Sequence, residues 1–304
     1  MQLLAYVGVG LDETRAWGLL RDLARRARNG EPVAARAGFV VDTAGHIEEV
    51  PPEHAQIVIS PGEEPGYQSA KRLTPEVQQL LDLYLPLCVG SGASELVIGH
   101  VGQSLDGQIA TAGGASRYVT GPENIVHMHR LRALFDAVLV GAGTVEHDDP
   151  ELTTRLVPGE NPTRVVVDPS LRLPHGRKLY RDNAAPTVIV CRQGGAERAA
   201  PARVTVVEVA PEQGVLSVPA LLAALGELGL RRVFVEGGGV TLSHFIQARR
   251  LDHLHVTICP MIIGRGRPGI SLPGVDTLEE ALRPSARRFN LGNDVLFDCH
   301  FPRA

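Results

Sequence analysis

From Glu95 onward, short apolar runs rich in β-branched residues alternate with stretches of helical spacing, and this alternation limits the fold more than any other feature of the chain. Strands are read at 96–103, 137–141, 163–168, 187–191, 204–209, 232–236, 253–259 and 294–300. Helices are read at 122–134, 219–228 and 241–248, the first with Ile125, Met128, Leu131 and Leu134 on one face. Parallel strands need crossover connections, and helices supply them. The pattern therefore predicts an α/β fold with a mostly parallel sheet covered on both faces. No crossover helix precedes the last strand, so the sheet is mixed at that edge.

Residues 1–92 read differently. A helix is predicted at 14–29, with Trp17, Leu20, Leu23 and Ala24 opposite Arg21, Arg25 and Arg28. Residues 38–42 and 55–60 look like strands, and 60–66 like a loop. Thr74 is a natural N-cap with Pro75 at the first helical position of a helix reaching about residue 84. Residues 90–94 are small and flexible, as a linker would be. The expected division is a small α+β segment of unassigned role at 1–92 and a larger domain at 93–304. A net charge of −4 gives no general affinity for nucleic acid or membranes. No run of about 20 apolar residues is present, and the first ten residues lack a basic start and a cleavage site. The four cysteines share no CxxC spacing and read as scattered reduced thiols. These features point to a cytoplasmic protein.

Three segments carry chemistry. In Val233-Phe234-Val235-Glu236-Gly237-Gly238-Gly239-Val240-Thr241-Leu242, an apolar strand meets three glycines and then a helix. Helix N-termini present unpaired N–H groups, and glycine lets a ligand come close, which suits a pyrophosphate. A tight turn without a ligand has the same pattern. Glu236, at the strand end where α/β proteins bind ligands, is either a substrate acceptor or a cap. In Val140 to Pro150 another buried strand ends in glycine and polar residues. Asp148 and Asp149 are adjacent and point apart, so hydrogen bonding is read there and no metal. Gly102 to Gly107 breaks into an Asp-Gly turn, followed by a polar loop with Ser116, Arg117 and Tyr118. Arg130, Arg132 and Arg155 are candidates for a phosphate or carboxylate. His127 and His129, two apart on a helix, are read as structural or solvated. The GxGxxG, GxSxG and GxxxxGK[ST] patterns and the zinc-deaminase motif are all absent.

Taken together and in order, SLDG-x-IAT, GxSRYVTG, HRLRA, DAVLVGAGT, DDPxLTxR, RVVVDPSLRLP, VFVEGGGVTLSHFIQARRLDHL and PMIIGRGRP resemble the reductase domain that follows the deaminase in bifunctional riboflavin-biosynthesis proteins. The resemblance covers roughly residues 95–300. It implies a dihydrofolate-reductase-like mixed sheet flanked by helices, often as a homodimer. It also implies NADPH-dependent reduction of the ribosylamino group of 5-amino-6-(5-phosphoribosylamino)uracil to a ribitylamino group. By the same resemblance, Gly102, Tyr118, Thr144, Asp148, Gly238, Gly239, Val240, Thr241, Leu242, Ser243 and His244 contact the cofactor. Ser116, Arg132, Leu152, Arg155 and Glu236 contact the substrate, with Glu236 catalytic and Arg132 and Arg155 on the phosphate.

Three departures stand out. Gln108 replaces a common cation, Tyr118 a frequent tryptophan, and Pro169 a frequent serine of the cofactor site. A related reductase of another pyrimidine or pterin-like heterocycle, or a nucleotide-binding protein without turnover, fits the same pattern. No residue in the sequence is marked out as the one that would meet a 2′-phosphate.

Overall fold

Side-chain caps set where the first two helices begin. The computed structural model describes residues 10–33, 35–62, 64–90, 95–117, 119–194, 201, 203–212 and 214–301. In it, α1 (Glu13–Arg28) starts at Asp12, whose carboxylate accepts the backbone N–H of Arg15 at 2.9 Å. α2 (Pro75–Val89) starts at Thr74, whose hydroxyl accepts from Val77 N at 3.4 Å. This helix runs past residue 84 and through Pro86. Proline removes one donor, and Leu83, Leu85, Leu87 and Cys88 are buried around it. Between the helices, β1 (Ala37–Val41), β2 (Ile47–Val50), β3 (Ile57–Ser60) and β4 (Gly66–Ser69) form an antiparallel sheet in the order β2-β1-β3-β4. Trp17 meets Tyr84 edge-on at 5.9 Å. These elements belong to one compact unit, Met1–Leu96.

The second unit, Val97–Ala304, carries the larger sheet. Its strands are β5 (Leu96–Ser104), β6 (Gln108–Thr111), β7 (Ala137–Gly141), β8 (Thr163–Val167), β9 (Thr187–Arg192), β10 (Val204–Val209), β11 (Pro211–Glu212), β12 (Val215–Leu216), β13 (Arg232–Glu236), β14 (His253–Cys259), β15 (Gly266–Pro268), β16 (Ser285–Leu291) and β17 (Asp294–His300). Its helices are α3 (Pro122–Leu134), α4 (Ala142–Asp148), α5 (Lys178–Arg181), α6 (Val218–Glu227) and α7 (Gly239–Gln247). Among the described residues nine strands pair in the order β10-β9-β8-β7-β13-β5-β14-β17-β16. β10, β9, β8, β7 and β13 pair in parallel, as do β5 and β14; β17 and β16 are antiparallel. The sheet is mixed at one edge, as the missing crossover predicted. β16 was not legible because Ser-Ala-Arg-Arg-Phe-Asn is polar and mostly exposed; its pairing comes from the backbone. No helix among the described residues is long and apolar enough to cross a membrane.

The core follows from composition. β7 (Ala-Val-Leu-Val-Gly) is buried along its whole length, and β13 up to Glu236. α3 departs from its predicted face. Leu131 and Leu134 are buried, but so are Asn124, His127, His129 and Arg132, while Ile125 and Met128 are only half-buried. Buried polar groups persist only with partners. His127 Nε2 lies 2.9 Å from His255 Nδ1. His253 Nδ1 donates to Asp298 Oδ1 at 2.8 Å, His255 Nε2 lies 3.3 Å from that oxygen, and Arg287 donates to Asp298 Oδ2 at 2.7 Å. The imidazole and carboxylate atoms of His253, His255 and Asp298 also lie within 4.8 Å of one another, a donor set the sequence did not single out. Arg287 already compensates its carboxylate. Burial would push Asp298 up, but hydrogen bonds from His253 and His255 hold it far below the usual carboxylate range.

Candidate active site

The parallel strands end on one side of the sheet, and the glycines after β13 shape what lies there. Gly237 and Gly238 have φ of 72° and 77°, a region open to glycine at little cost. Gly238 is the N-cap of α7 and offers no side-chain cap, so the first N–H groups of that helix remain available. Close packing fixes the turn. A Cβ on Gly239 would lie 2.5 Å from Pro268 O, and one on Gly141 2.4 Å from Thr241 Oγ1. One layer below, a Cβ on Gly99 would meet Leu242 Cδ1 at 2.4 Å. The result is a backbone cradle of N–H groups with a positive helix end, suited to an anion.

This cradle borders a cleft of about 1140 Å³. Sites for one small ligand run to roughly 300–1,000 Å³, so there is room for a cofactor and a substrate together. Gly102, Ser116, Thr144, Asp148, Glu236, Gly238, Gly239, Val240, Thr241 and His244 all line it. Leu242 and Ser243 do not. Leu242 is in the core, and the Ser243 hydroxyl donates to Gly239 O at 2.5 Å and accepts from Ser271 N at 2.9 Å. Both support the cradle from behind. Tyr118 lies outside the described residues. Ser116 Oγ donates to Asp148 Oδ1 at 3.4 Å, and Asp149 accepts from Lys178 N at 3.0 Å. The two neighbouring carboxylates thus serve separate hydrogen bonds.

Glu236 ends β13 at the cleft wall. Arg132 grips it with two parallel hydrogen bonds, Nε to Oε2 at 2.7 Å and Nη2 to Oε1 at 2.5 Å. Only 7% of the arginine and 13% of the glutamate side chain is exposed, so the pair is shielded from screening. Arg132 Nη1 donates to Thr153 O at 2.9 Å. The sequence reading gave Arg132 to a phosphate; the fold gives its guanidinium to Glu236 and the backbone instead. Through Thr153, Arg132 ties the segment 152–155 to Glu236. Leu152 is buried there with φ of 54°, and Arg155 is half-exposed, bonded to Glu151 and to Thr153 Oγ1. Neither side chain is part of the cleft lining. Arg130 is half-buried and lies outside it as well.

Sequence reasoning missed a buried polar group under the cleft. His100 Nε2 donates to Asn124 Oδ1 at 2.9 Å, Thr257 Oγ1 donates to the same oxygen at 2.7 Å, and Asn124 Nδ2 donates to Thr120 Oγ1 at 2.9 Å. Burial lowers the His100 pKa to about 4, so the ring is neutral. The signal was a histidine inside an apolar strand, two residues before Gly102. Gln108 needs less weight than its departure suggested. Its side-chain amide turns back to Asp106 O at 3.0 Å and does not line the cleft. The cations that do line it are Arg117, Arg172, Arg192 and Arg267.

The cradle, the cleft volume and the uncapped helix are of a kind that could hold a dinucleotide, residues 238–241 being placed to meet its pyrophosphate. Residues 95–296 match the family model described as the RibD C-terminal domain. A Methanothermobacter thermautotrophicus protein named 2,5-diamino-6-ribosylamino-4(3H)-pyrimidinone 5′-phosphate reductase is 37% identical over 214 residues, 66% of this chain and 96% of that one. The riboflavin biosynthesis protein RibD of Aquifex aeolicus is 36% identical over 196 residues, 64% of this chain. The match covers 54% of that relative, so the chain spans about half its length. A solved Thermotoga maritima deaminase/5-amino-6-(5-phosphoribosylamino)uracil reductase is 26% identical with a TM-score of 0.57, over 74% of this chain and 61% of its own.

Proposed function

The chain belongs to the RibD C-terminal domain family, and from that premise we propose that it is a reductase of riboflavin biosynthesis, using NADPH to convert the ribosylamino group of a pyrimidine 5′-phosphate to a ribitylamino group. The observation that carries this reading is Glu236, fixed by Arg132 beside an anion cradle in a cleft with room for two ligands. Bound nicotinamide would supply a hydride.

The chain's own groups do the rest. The Glu236 carboxylate is oriented before substrate arrives and accepts hydrogen bonds from amino or ring N–H groups of the pyrimidine. Its charge favours the protonated form of the substrate's C=N nitrogen, which makes C1′ electrophilic; hydride addition at C1′ would then discharge that positive charge and leave a neutral amine. Arg155 exchanges its exposed partner Glu151 for the substrate phosphate. Ile125 and Met128 give the cleft lining apolar groups. Family likeness is also the ground for expecting a homodimer and a cytoplasmic location.

The test is loss of NADPH absorbance by purified protein, with the aminouracil and the diaminopyrimidinone ribosylamino 5′-phosphates as alternative substrates. Turnover of either supports the proposal, and the faster one names the substrate. A protein that binds NADPH but reduces neither would overturn it. Glu236→Gln, which keeps the shape and removes the charge, should lower kcat at least about ten-fold.

A further inference from the structure

His253 and His255 are two apart on β14, so both rings stand on one face of the sheet. The antiparallel register sets His255 opposite Asp298 and His253 opposite His300 on β17. Imidazoles and a carboxylate from two paired strands thus share one face. None of the four residues lines the cleft, and the reaction assigned to the cleft uses none of them.

The donor atoms converge on one point. His253 Nδ1 lies 2.8 Å and His255 Nε2 3.3 Å from the same oxygen, Asp298 Oδ1. The second contact is long and off line, so the capacity of a fully buried ring nitrogen is only partly used. Among the described residues this is the one set of three such donors close enough to share an ion, all within 4.8 Å of one another. Ligand atoms bonded at about 2.0–2.1 Å to a tetrahedral zinc ion lie about 3.3–3.4 Å apart. Small rotations of the two rings and the carboxylate reach that spacing.

The outer contacts already orient the donors. His255 Nδ1 is 2.9 Å from His127 Nε2, which holds the ring with Nε2 toward the carboxylate. Arg287 donates to Asp298 Oδ2 at 2.7 Å and leaves Oδ1 to the histidines. Metal-binding imidazoles and carboxylates are fixed by hydrogen bonds of this kind to their second atom. His255 and Asp298 are buried, whereas His300 is exposed, with its ring centroid 5.0 Å from that of His253. The site therefore opens to solvent beside His253.

We propose that His253 Nδ1, His255 Nε2 and Asp298 Oδ1 bind a divalent metal ion of the zinc class, with water in the fourth position. Two imidazoles and one carboxylate suit zinc; magnesium and calcium take oxygen ligands. In the metal-binding tautomer, His255 carries its proton on Nδ1 and donates it to His127. The ion pins β14 to β17, and β14 pairs in turn with β5, which brings Gly102 to the cleft. Its role is to stabilise the sheet, and it stands whatever the cleft reduces.

The experiment is calorimetric titration of the full chain, stripped with a chelator and then freed of it, with zinc chloride and with magnesium chloride. One zinc ion per chain should bind, magnesium should not, and the thermal midpoint should rise as zinc is raised above its Kd. Cobalt(II) in the same site should show the visible bands of tetrahedral coordination. His253→Gln keeps a donor for Asp298 and removes one ligand; it should weaken zinc binding at least about ten-fold. Circular dichroism of this variant reports whether it is folded. His46→Gln, at the exposed His46–Asp42 pair, is the control for surface binding and should change nothing. Folded wild type that takes up no stoichiometric zinc, or zinc binding undiminished in His253→Gln, would sink the proposal. Binding lost in His46→Gln instead would place the ion on the surface and overturn it as well.

Discussion

The backbone N–H of Arg155 donates to Nδ1 of His129 at 3.0 Å, so that nitrogen is an acceptor and the ring carries its proton on Nε2. Burial, with Arg132 and Arg155 nearby, lowers the His129 pKa to about 4 and keeps the acceptor intact near neutrality. His129→Ala should let the 152–155 segment drift and raise the KM for the phosphorylated substrate about five-fold, the worth of one neutral hydrogen bond. Arg155→Ala, which removes the charge itself, should raise it about ten-fold or more. Steady-state kinetics with saturating NADPH checks both; an unchanged KM in Arg155→Ala would remove it from the phosphate site.

Arg132→Lys tests orientation against charge. Lysine keeps the positive charge but cannot make two parallel bonds to Glu236 and a third to Thr153 O. We expect kcat to fall about ten-fold or more while NADPH affinity holds. Wild-type kcat in this variant would mean that charge alone suffices.

Acid should destabilise the protein well above the range where carboxylates titrate. His100, His127 and His255 are buried and neutral, each with its pKa pushed below the ordinary 6.5 by burial, His100 to about 4. Below 6.5 the unfolded chain binds protons that the folded chain refuses, so stability falls as pH falls. Each such histidine costs about 1.4 kcal/mol per pH unit in that window. Asp298, depressed in the fold, adds its loss only at still lower pH. Urea midpoints between pH about 7.5 and 5 measure the effect, and a flat profile would contradict it.

Two glycine substitutions should differ sharply. A methyl group added at Gly239 would strike the carbonyls of Pro268 and Gly269, so Gly239→Ala should weaken NADPH binding at least about ten-fold. In α6 a Cβ on Gly226 meets nothing within 4 Å, so Gly226→Ala should stabilise by roughly 0.5–1 kcal/mol and leave binding alone. Fluorescence titration and thermal unfolding separate the two.

What the sequence revealed was what period and punctuation encode. The apolar runs gave β7 and β13, Thr74-Pro75 gave a helix start, and Glu236 with its glycines gave the cradle. Contacts between distant segments were illegible. Arg132 and Glu236 are 104 positions apart, and nothing local tells a guanidinium whether it will meet a ligand or a carboxylate. His127 could be read only as structural or solvated, because its partner His255 is 128 positions away. β16 escaped because an edge strand needs no apolar alternation.

Gly99 has no role in the chemistry, yet Leu242 of α7 rests where its side chain would be. The height of the helix whose start forms the anion cradle is therefore calibrated from underneath, by a missing methyl in a neighbouring strand. Mutational drift at such a position would detune the enzyme without touching any group a ligand meets, and a survey confined to the cleft walls would never find the cause.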